Sequence, residues 1–147
     1  MIKLENGINQ NQKPQSYKTA LYLRFGSSHQ ANDEVIKTQS DALHIFSKQQ
    51  GYAVCAEYRD DGYGGNTLDR PAFMEMQAAI EAGTVDTVVV RNLDRIARNF
   101  FLRESWLDKM RAQGVKIIAA DGSHELPPLA SILAGLVRGK TGMLKTV

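Results

Sequence analysis

The sequence has only one cysteine and no hydrophobic run long enough to cross a bilayer. A single thiol, Cys55, excludes both an internal disulfide framework and a metal cluster built on cysteines. The first sixteen residues are polar and lack the apolar core that a signal peptide needs. We therefore expect a cytoplasmic protein without a membrane partner, in which Cys55 is a buried and unreactive side chain.

The sequence also lacks a strong charge imbalance, since 18 basic and 16 acidic residues among 147 give a formal net charge of +2. Such a balance does not by itself indicate a nucleic-acid partner. The interval 91–111 is more basic, with six basic residues and three acidic ones. This local excess favours one weakly basic face on the protein.

Short apolar segments alternate with amphipathic ones along the chain. They predict strands at 19–25, 52–58, 85–90 and 115–120, and helices at about 34–50, 71–82, 95 or 99 to 113, and 128–137. In the third helix we expect Asn92 or Asp94 to be the cap, and Phe100 or Phe101, Leu107 and Met110 to be buried. The alternation predicts an α/β fold with a mainly parallel central sheet of about four strands flanked by helices.

The chain is long enough for one domain with its own core. Residues 1–17 have no periodicity and are predicted to be a disordered arm, whereas residues 126–147 are predicted to form a C-terminal helix and tail. The domain itself is predicted at 18–125. A loop after the second strand has glycines at 62, 64 and 65, which lets the backbone move or approach other groups closely.

Arginines and acids follow three of the predicted strands. Parallel strands end at the same edge of a sheet, so the loops after Phe25, Tyr58 and Val90 come together there. The side chains concerned are Arg24, Arg70, Arg91, Arg95 and Arg98, with Asp60, Asp61 and Asp94. Guanidinium groups match phosphate oxygens in pairs and keep their charge, so five at one edge predict a phosphate site rather than a solvated helix face.

The order and spacing of these motifs resemble the catalytic domain of the serine recombinases, the resolvase and invertase family, especially its large integrase and transposon branch. The resemblance covers about residues 19–120 and rests on Tyr22-Leu23-Arg24, Gln30, Gln39, Asp60-Asp61-Gly62-Tyr63, Asp69-Arg70-Pro71-Ala72-Phe73 and Leu93-Asp94-Arg95-Ile96-Ala97-Arg98-Asn99. It implies site-specific DNA cleavage and rejoining through a 5′-phosphoserine intermediate. It also implies double-stranded DNA as partner, no metal and no cofactor, and a homodimer or tetramer formed through the C-terminal helix.

The resemblance also implies roles for individual residues. Arg24, Arg70, Arg95 and Arg98 would hold the scissile phosphate, while Asp94 would orient an arginine or help to protonate the leaving oxygen. The residues assigned to supporting the pocket or contacting DNA are Tyr22, Gln30, Gln39 and Arg91.

The nucleophile position departs from the family pattern. Counting two residues forward from Arg24, or four back from Gln30, gives Gly26, which has no hydroxyl group. Ser27 is the nearest hydroxyl, but side chains alternate along a strand and Ser27 would point to the other face. Three explanations stay open: a substitution that removed the serine, a natural relative without catalysis, and a rearranged loop in which Ser27 attacks.

Other functions are compatible with the same residues. A resolvase-like domain that only oligomerises or occupies DNA would keep the arginines and lose the nucleophile. An α/β domain of another kind would hold a phosphate or nucleotide in the loop Gly26-Ser27-Ser28, but the sequence has no P-loop or dinucleotide fingerprint. Magnesium at Asp60 and Asp61 is disfavoured because the nearby arginines would repel a cation.

Overall fold

The computed structural model describes residues 18–26 and 32–123. Its four strands are β1 (Thr19–Phe25), β2 (Val54–Asp61), β3 (Thr87–Val90) and β4 (Lys116–Ala119), and its helices are α1 (Asp33–Gln49), α2 (Pro71–Glu81) and α3 (Phe100–Ala112). All strand pairs are parallel, in the order β2-β1-β3-β4. The predicted α/β fold is confirmed. The arm at 1–17 and the helix at 128–137 lie outside the described residues.

The central strand β1 is buried at every position, because β2 and β3 pair with its two edges and helices cover both faces. Side chains of one face, such as Leu21 and Leu23, pack with α1. Those of the other face, such as Tyr22, pack with α2 and α3. Because β1 is central, its carboxyl end meets the loops that follow β2 and β3.

The strand β2 differs from its prediction in length and burial. It continues to Asp61, through residues predicted as loop, because it pairs with β1 as far as the Phe25 to Asp61 register. β2 is also an edge strand, and its side chains alternate between half-buried and exposed over most of its length. Cys55 occupies an exposed position, so the prediction of a buried thiol was wrong.

The helix α3 begins later than its earliest predicted start. Residues Leu93–Arg95 form a separate 3₁₀ turn, and the side chain of Asn99 caps α3 by accepting a hydrogen bond from the Leu102 N–H at 2.9 Å. The predicted caps, Asn92 and Asp94, do not serve this helix, because the chain makes one more turn before α3 starts.

The buried face of α3 was predicted only in part. Leu107 and Met110 are buried as expected, together with Trp106. Phe100 and Phe101 are exposed instead and pack against each other edge to face, with ring centroids 5.1 Å apart. Within the ranges described here, no helix is both long and apolar enough to cross a membrane.

These burial differences predict that truncating different side chains of α3 to alanine has unequal effects on stability. Leu107→Ala removes a side chain that is 1% exposed and leaves a cavity, so we expect the free energy of unfolding to fall by about 2–5 kcal/mol. Phe101→Ala, at a site that is 59% exposed, should change it by about 0.5 kcal/mol or less. Urea denaturation measures both, and equal losses would contradict the burial of this helix face.

Candidate phosphate-binding site

Arg24, at the end of β1, has a buried guanidinium group that binds backbone carbonyls. Its Nε donates to the backbone carbonyl of Arg95 at 3.1 Å. Its two terminal nitrogens donate to the backbone carbonyls of Tyr63 at 3.1 Å and of Asp94 at 2.7 Å. The side chain is 1% exposed. Arg24 therefore ties the glycine loop and the 3₁₀ turn to the central strand, and no carboxylate of residues 18–26 or 32–123 forms an ion pair with it.

Arg70, just before α2, is also fully buried and binds the same turn. One terminal nitrogen donates to the Tyr22 hydroxyl at 2.9 Å and to the Arg95 carbonyl at 3.2 Å, and the other donates to the Ile96 carbonyl. The guanidinium carbon lies 4.9 Å from the centroid of the Phe73 ring, within the range of a cation–π contact. Arg24 and Arg70 thus converge on the backbone that carries Arg95.

Asp60, near the end of β2, anchors the hydrogen-bond network of Tyr22 and Arg70. Its carboxylate accepts hydrogen bonds from the Tyr22 hydroxyl at 2.7 Å and from the backbone N–H groups of Ala72 and Phe73 at 2.9 and 3.0 Å. Arg70, the residue in the N-cap position of α2, makes no capping bond with its side chain. Asp60 therefore caps α2 from another strand, with its negative charge at the positive end of the helix dipole.

The positive charges at this edge act on one another. Burial, together with the charges of Arg70, Arg95 and Arg98, lowers the pKa of Arg24 to about 10. Burial also lowers the pKa of Arg95, with further contributions from the charges of Arg91 and Arg98. Like charges held this closely favour the binding of an anion among them.

Burial and the hydrogen bond to Asp60 raise the pKa of Tyr22 far above its usual value. The phenol therefore stays neutral and keeps the proton that it donates to Asp60. Tyr22 is fully buried and has its hydroxyl bonded on both sides, which places it inside the network rather than on the surface.

Other predicted residues lie at the surface of the same edge. Arg95 is half-buried and donates to the Arg24 carbonyl at 3.2 Å, while Arg98 is exposed. The carboxylate of Asp94 is exposed and forms an ion pair at 3.1 Å with Arg103, a residue that the motifs did not single out. The structure therefore brings together Arg24, Arg70, Arg95 and Arg98, which form the arginine cluster, with Asp94 beside them.

Gly26 lies two residues beyond Arg24 at this edge. Among the described residues, no heavy atom lies within 4 Å of a Cβ atom placed on it, and Gly26 is not one of the glycines with a positive φ angle. The described residues therefore leave room for a small side chain at position 26. Ser27, Ser28 and Gln30 lie outside the described residues.

Gln39 and Arg91 line a cavity away from Arg24 and Arg70. Both border a cavity of about 550 Å³ between α1 and the end of β4, which is lined also by Val35, Leu43 and Ala120. Gln39 is on the α1 side of the sheet, whereas Arg24 and Arg70 are on the side of α2 and α3. Of these two, only Arg91 acts electrostatically on the arginine cluster, through Arg95.

Gly65 is a site residue that the sequence motifs did not identify. A Cβ atom there would lie 2.8 Å from both the backbone nitrogen and Cγ of Arg98, and 3.0 Å from a terminal nitrogen of Arg24. The Gly65 carbonyl accepts a hydrogen bond from the Arg98 N–H at 2.9 Å. The three-glycine loop predicted close approach of the backbone, but only the fold shows that Gly65 is the residue that requires it.

The family described as Resolvase, N terminal domain, matches residues 19–139. The chain belongs to this family. Its structure is similar to the N-terminal catalytic domain of TP901-1 integrase, with a TM-score of 0.64, 24% identity, and coverage of 87% of this chain and 95% of that one. A resolvase family site-specific recombinase from Streptococcus pneumoniae is similar at a TM-score of 0.62 and 22% identity, over 90% and 92% of the two chains.

One curated relative of this resolvase domain comes from Bacillus subtilis (strain 168) and has the name "Putative DNA recombinase". The two sequences are 26% identical over 110 residues, which is 74% of this chain and 21% of the relative. The chain therefore spans about a fifth of the length of that relative.

Asp60 offers a test of the buried network. Asp60→Ala removes the acceptor of three hydrogen bonds and the negative charge next to Arg70, so we expect the free energy of unfolding to fall by about 3 kcal/mol or more. Asp61→Ala is the matched control, because Asp61 is exposed and pairs with Arg59 only at 3.5 Å, and should cost less than about 1 kcal/mol. Similar losses in urea denaturation would refute the anchoring role of Asp60.

The close contact at Gly65 gives a second test. Gly65→Ala forces the Arg98 backbone to move, so we expect a loss of about 1–3 kcal/mol of stability and a shift of the Arg98 amide signal in NMR spectra. Gly64→Ala, at a residue without a positive φ angle, meets no atom of the described part of the chain within 4 Å and should be neutral or slightly stabilising. Equal stability of the two variants would show that this contact does not constrain the site.

Proposed function

We propose that this resolvase domain is the catalytic domain of a site-specific DNA recombinase, and that its arginine cluster binds a scissile phosphate in double-stranded DNA. The observation that carries the proposal is the convergence of Arg24, Arg70, Arg95 and Arg98 beside Gly26 at one edge of the sheet. Family membership supports the same conclusion.

The four arginines differ in burial and therefore in role. Arg95 and Arg98 reach the surface and contact phosphate oxygens directly. Arg24 and Arg70 are buried, position the backbone of the 3₁₀ turn, and add positive electrostatic potential from beneath the surface. Tyr22 and Asp60 hold Arg70, and Arg103 orients the Asp94 carboxylate. At the surface, Arg91 adds charge along the DNA, and Gln39 lines the same cavity as Arg91.

Cleavage requires an attacking oxygen at position 26. A serine there would form a bond from its Oγ to phosphorus while the bond from phosphorus to the 3′ oxygen breaks, which gives a 5′-phosphoserine and a free 3′ hydroxyl. The arginines stabilise the charge that builds on the phosphate oxygens, and Asp94 assists the proton transfer to the leaving oxygen. With Gly26, the chain binds DNA but lacks this nucleophile, and an adduct from the unaltered chain would indicate that Ser27 attacks instead.

The decisive experiment restores the hydroxyl. Gly26→Ser, in a chain fused to a DNA-binding module whose sites flank a randomised centre, should give a covalent protein–DNA adduct on a denaturing gel. The adduct should form in EDTA, because arginines rather than a metal ion supply the positive charge. The chain with Gly26 should give none.

Matched arginine variants of the Gly26→Ser chain test the cluster. Arg98→Gln should lower the adduct rate by about a hundredfold or more, as expected when a preorganised group that stabilises transition-state charge is removed. Arg111→Gln, which removes a charge that pairs with Asp108 at the far end of α3, should leave the rate unchanged. The absence of any adduct from the Gly26→Ser chain, or equal rates in both variants, would overturn the proposal.

A second candidate function is favoured by Gly26 itself: a resolvase-like domain that binds DNA and regulates another recombinase. Both candidates predict salt-dependent DNA binding by the chain with Gly26, because phosphate contacts release counterions. Only the catalytic candidate predicts an adduct on restoring the serine. In both, assembly into a dimer or tetramer uses residues 126–147, and deletion of these residues should give a monomer in sedimentation experiments.

A further inference from the structure

An acceptor-rich cavity lies between the 3₁₀ turn and the first turns of α3. Its volume is about 380 Å³, and the polar residues that line it are Asn92, Asp94, Arg103, Glu104, Asp121 and Ser123. Arg24, Arg70, Arg95 and Arg98 do not line it. The cavity is therefore separate from the arginine cluster but borders it at Asp94.

Glu104 is the most unusual residue of this cavity. It is 1% exposed, and its Oε2 accepts a hydrogen bond from Arg103 Nε at 3.1 Å. Its Oε1 is buried and has no hydrogen-bond partner among the described residues, and the same is true of Asn92 Oδ1. Two buried acceptors that line one cavity without donors are costly, since buried polar atoms are nearly always hydrogen-bonded.

The charges around the cavity do not balance. Among the lining residues, the three carboxylates of Asp94, Glu104 and Asp121 are accompanied by one cation, Arg103. Outside the lining, Arg91 acts on Asp121 and Arg95 on Asp94. Arg103 is already engaged, with Asp94 and Glu104 each at 3.1 Å. Hydrogen bonds from Ser123 hold the pKa of Asp121 below its usual value, so this carboxylate stays charged. The cavity therefore carries a net charge of −2 from its lining residues.

We propose that this cavity binds a cationic hydrogen-bond donor of the guanidinium or ammonium class, supplied either by a free amine or guanidine or by an arginine or lysine of a second copy of the chain. Such a group carries several N–H donors and a positive charge, which match the free oxygens of Glu104 and Asn92. Within the described residues, no group of three or more His, Cys, Asp or Glu is arranged to hold a metal ion. The proposal does not depend on the recombinase function.

Occupation of the cavity is linked to the arginine cluster through Asp94. The Asp94 carbonyl accepts a hydrogen bond from Arg24 at 2.7 Å, while its carboxylate binds Arg103 beside the cavity. A cation bound next to Glu104 would compete for this carboxylate and shift the turn that carries Arg95. The backbone amides of residues 92–95 are therefore the signals to follow.

Agmatine, which has a guanidinium group at one end and an amine at the other, is the probe. Titrated into the ¹⁵N-labelled 147-residue chain, it should shift the side-chain amide of Asn92 and the backbone amides of residues 92–95 and 103–104. Glu104→Gln keeps the shape and removes the charge, so the affinity should fall by about tenfold or more. Asn92→Asp adds a carboxylate and should raise the affinity, a change opposite in direction that misfolding does not produce.

Glu57→Gln is the matched control, because Glu57 is on β2, outside the cavity, and its loss should leave agmatine binding unchanged. Sedimentation equilibrium without agmatine distinguishes the two sources of the donor. If Glu104→Gln weakens self-association, a second copy supplies the cation. If it weakens only agmatine binding, the ligand is a free molecule. If neither property depends on Glu104, the proposal is wrong.

Discussion

The structure depends on two guanidinium groups that are removed from water and bound to backbone carbonyls. Arg24 and Arg70 donate hydrogen bonds to four carbonyl groups in two loops, and both reach the Arg95 carbonyl. Carbonyl acceptors bind all three nitrogens of Arg24 and both terminal nitrogens of Arg70 without cancelling the charge, while Arg70 Nε has no partner among the described residues. The two side chains therefore fix the geometry of the loops and make the sheet edge electropositive at the same time.

This arrangement opposes the stability of the fold, because buried like charges repel one another. The core next to them offsets the cost. Tyr22 packs edge to face on Phe73 at 5.4 Å, Phe73 lies under the Arg70 guanidinium, and Asp60 supplies a nearby negative charge. Binding of an anion would relieve the remaining repulsion. A site of this kind trades part of the stability of the empty protein for affinity.

The sequence predicted the parts of this fold that depend on local pattern. The short apolar segment at 85–90 indicated a strand, and the rule that parallel strands end together placed the arginines at one edge. The sequence did not predict the burial of side chains whose packing partners lie far along the chain. Cys55 is exposed because β2 is an edge strand, and the contact surface of α3 leaves Phe100 and Phe101 outside.

The same limit applies to the candidate site. The motifs identified Arg24 and Arg70, but they gave no sign that carbonyls would surround them, because those carbonyls lie 39 or more positions away for Arg24 and 25 or more for Arg70. Asp60 caps a helix that starts eleven residues later, and local capping rules do not include a pairing over that distance. Gly65 and Arg103 became visible only when the loop and helix were packed together.

The core of this domain also provides an optical readout. Trp106 is the only tryptophan in the sequence, and its ring lies 5.2 Å from Phe73, the ring that packs against Arg70. Indole emission depends on nearby charges and on the motion of neighbouring rings. Intrinsic fluorescence at a single, buried chromophore therefore reports on the arginine network without any added label.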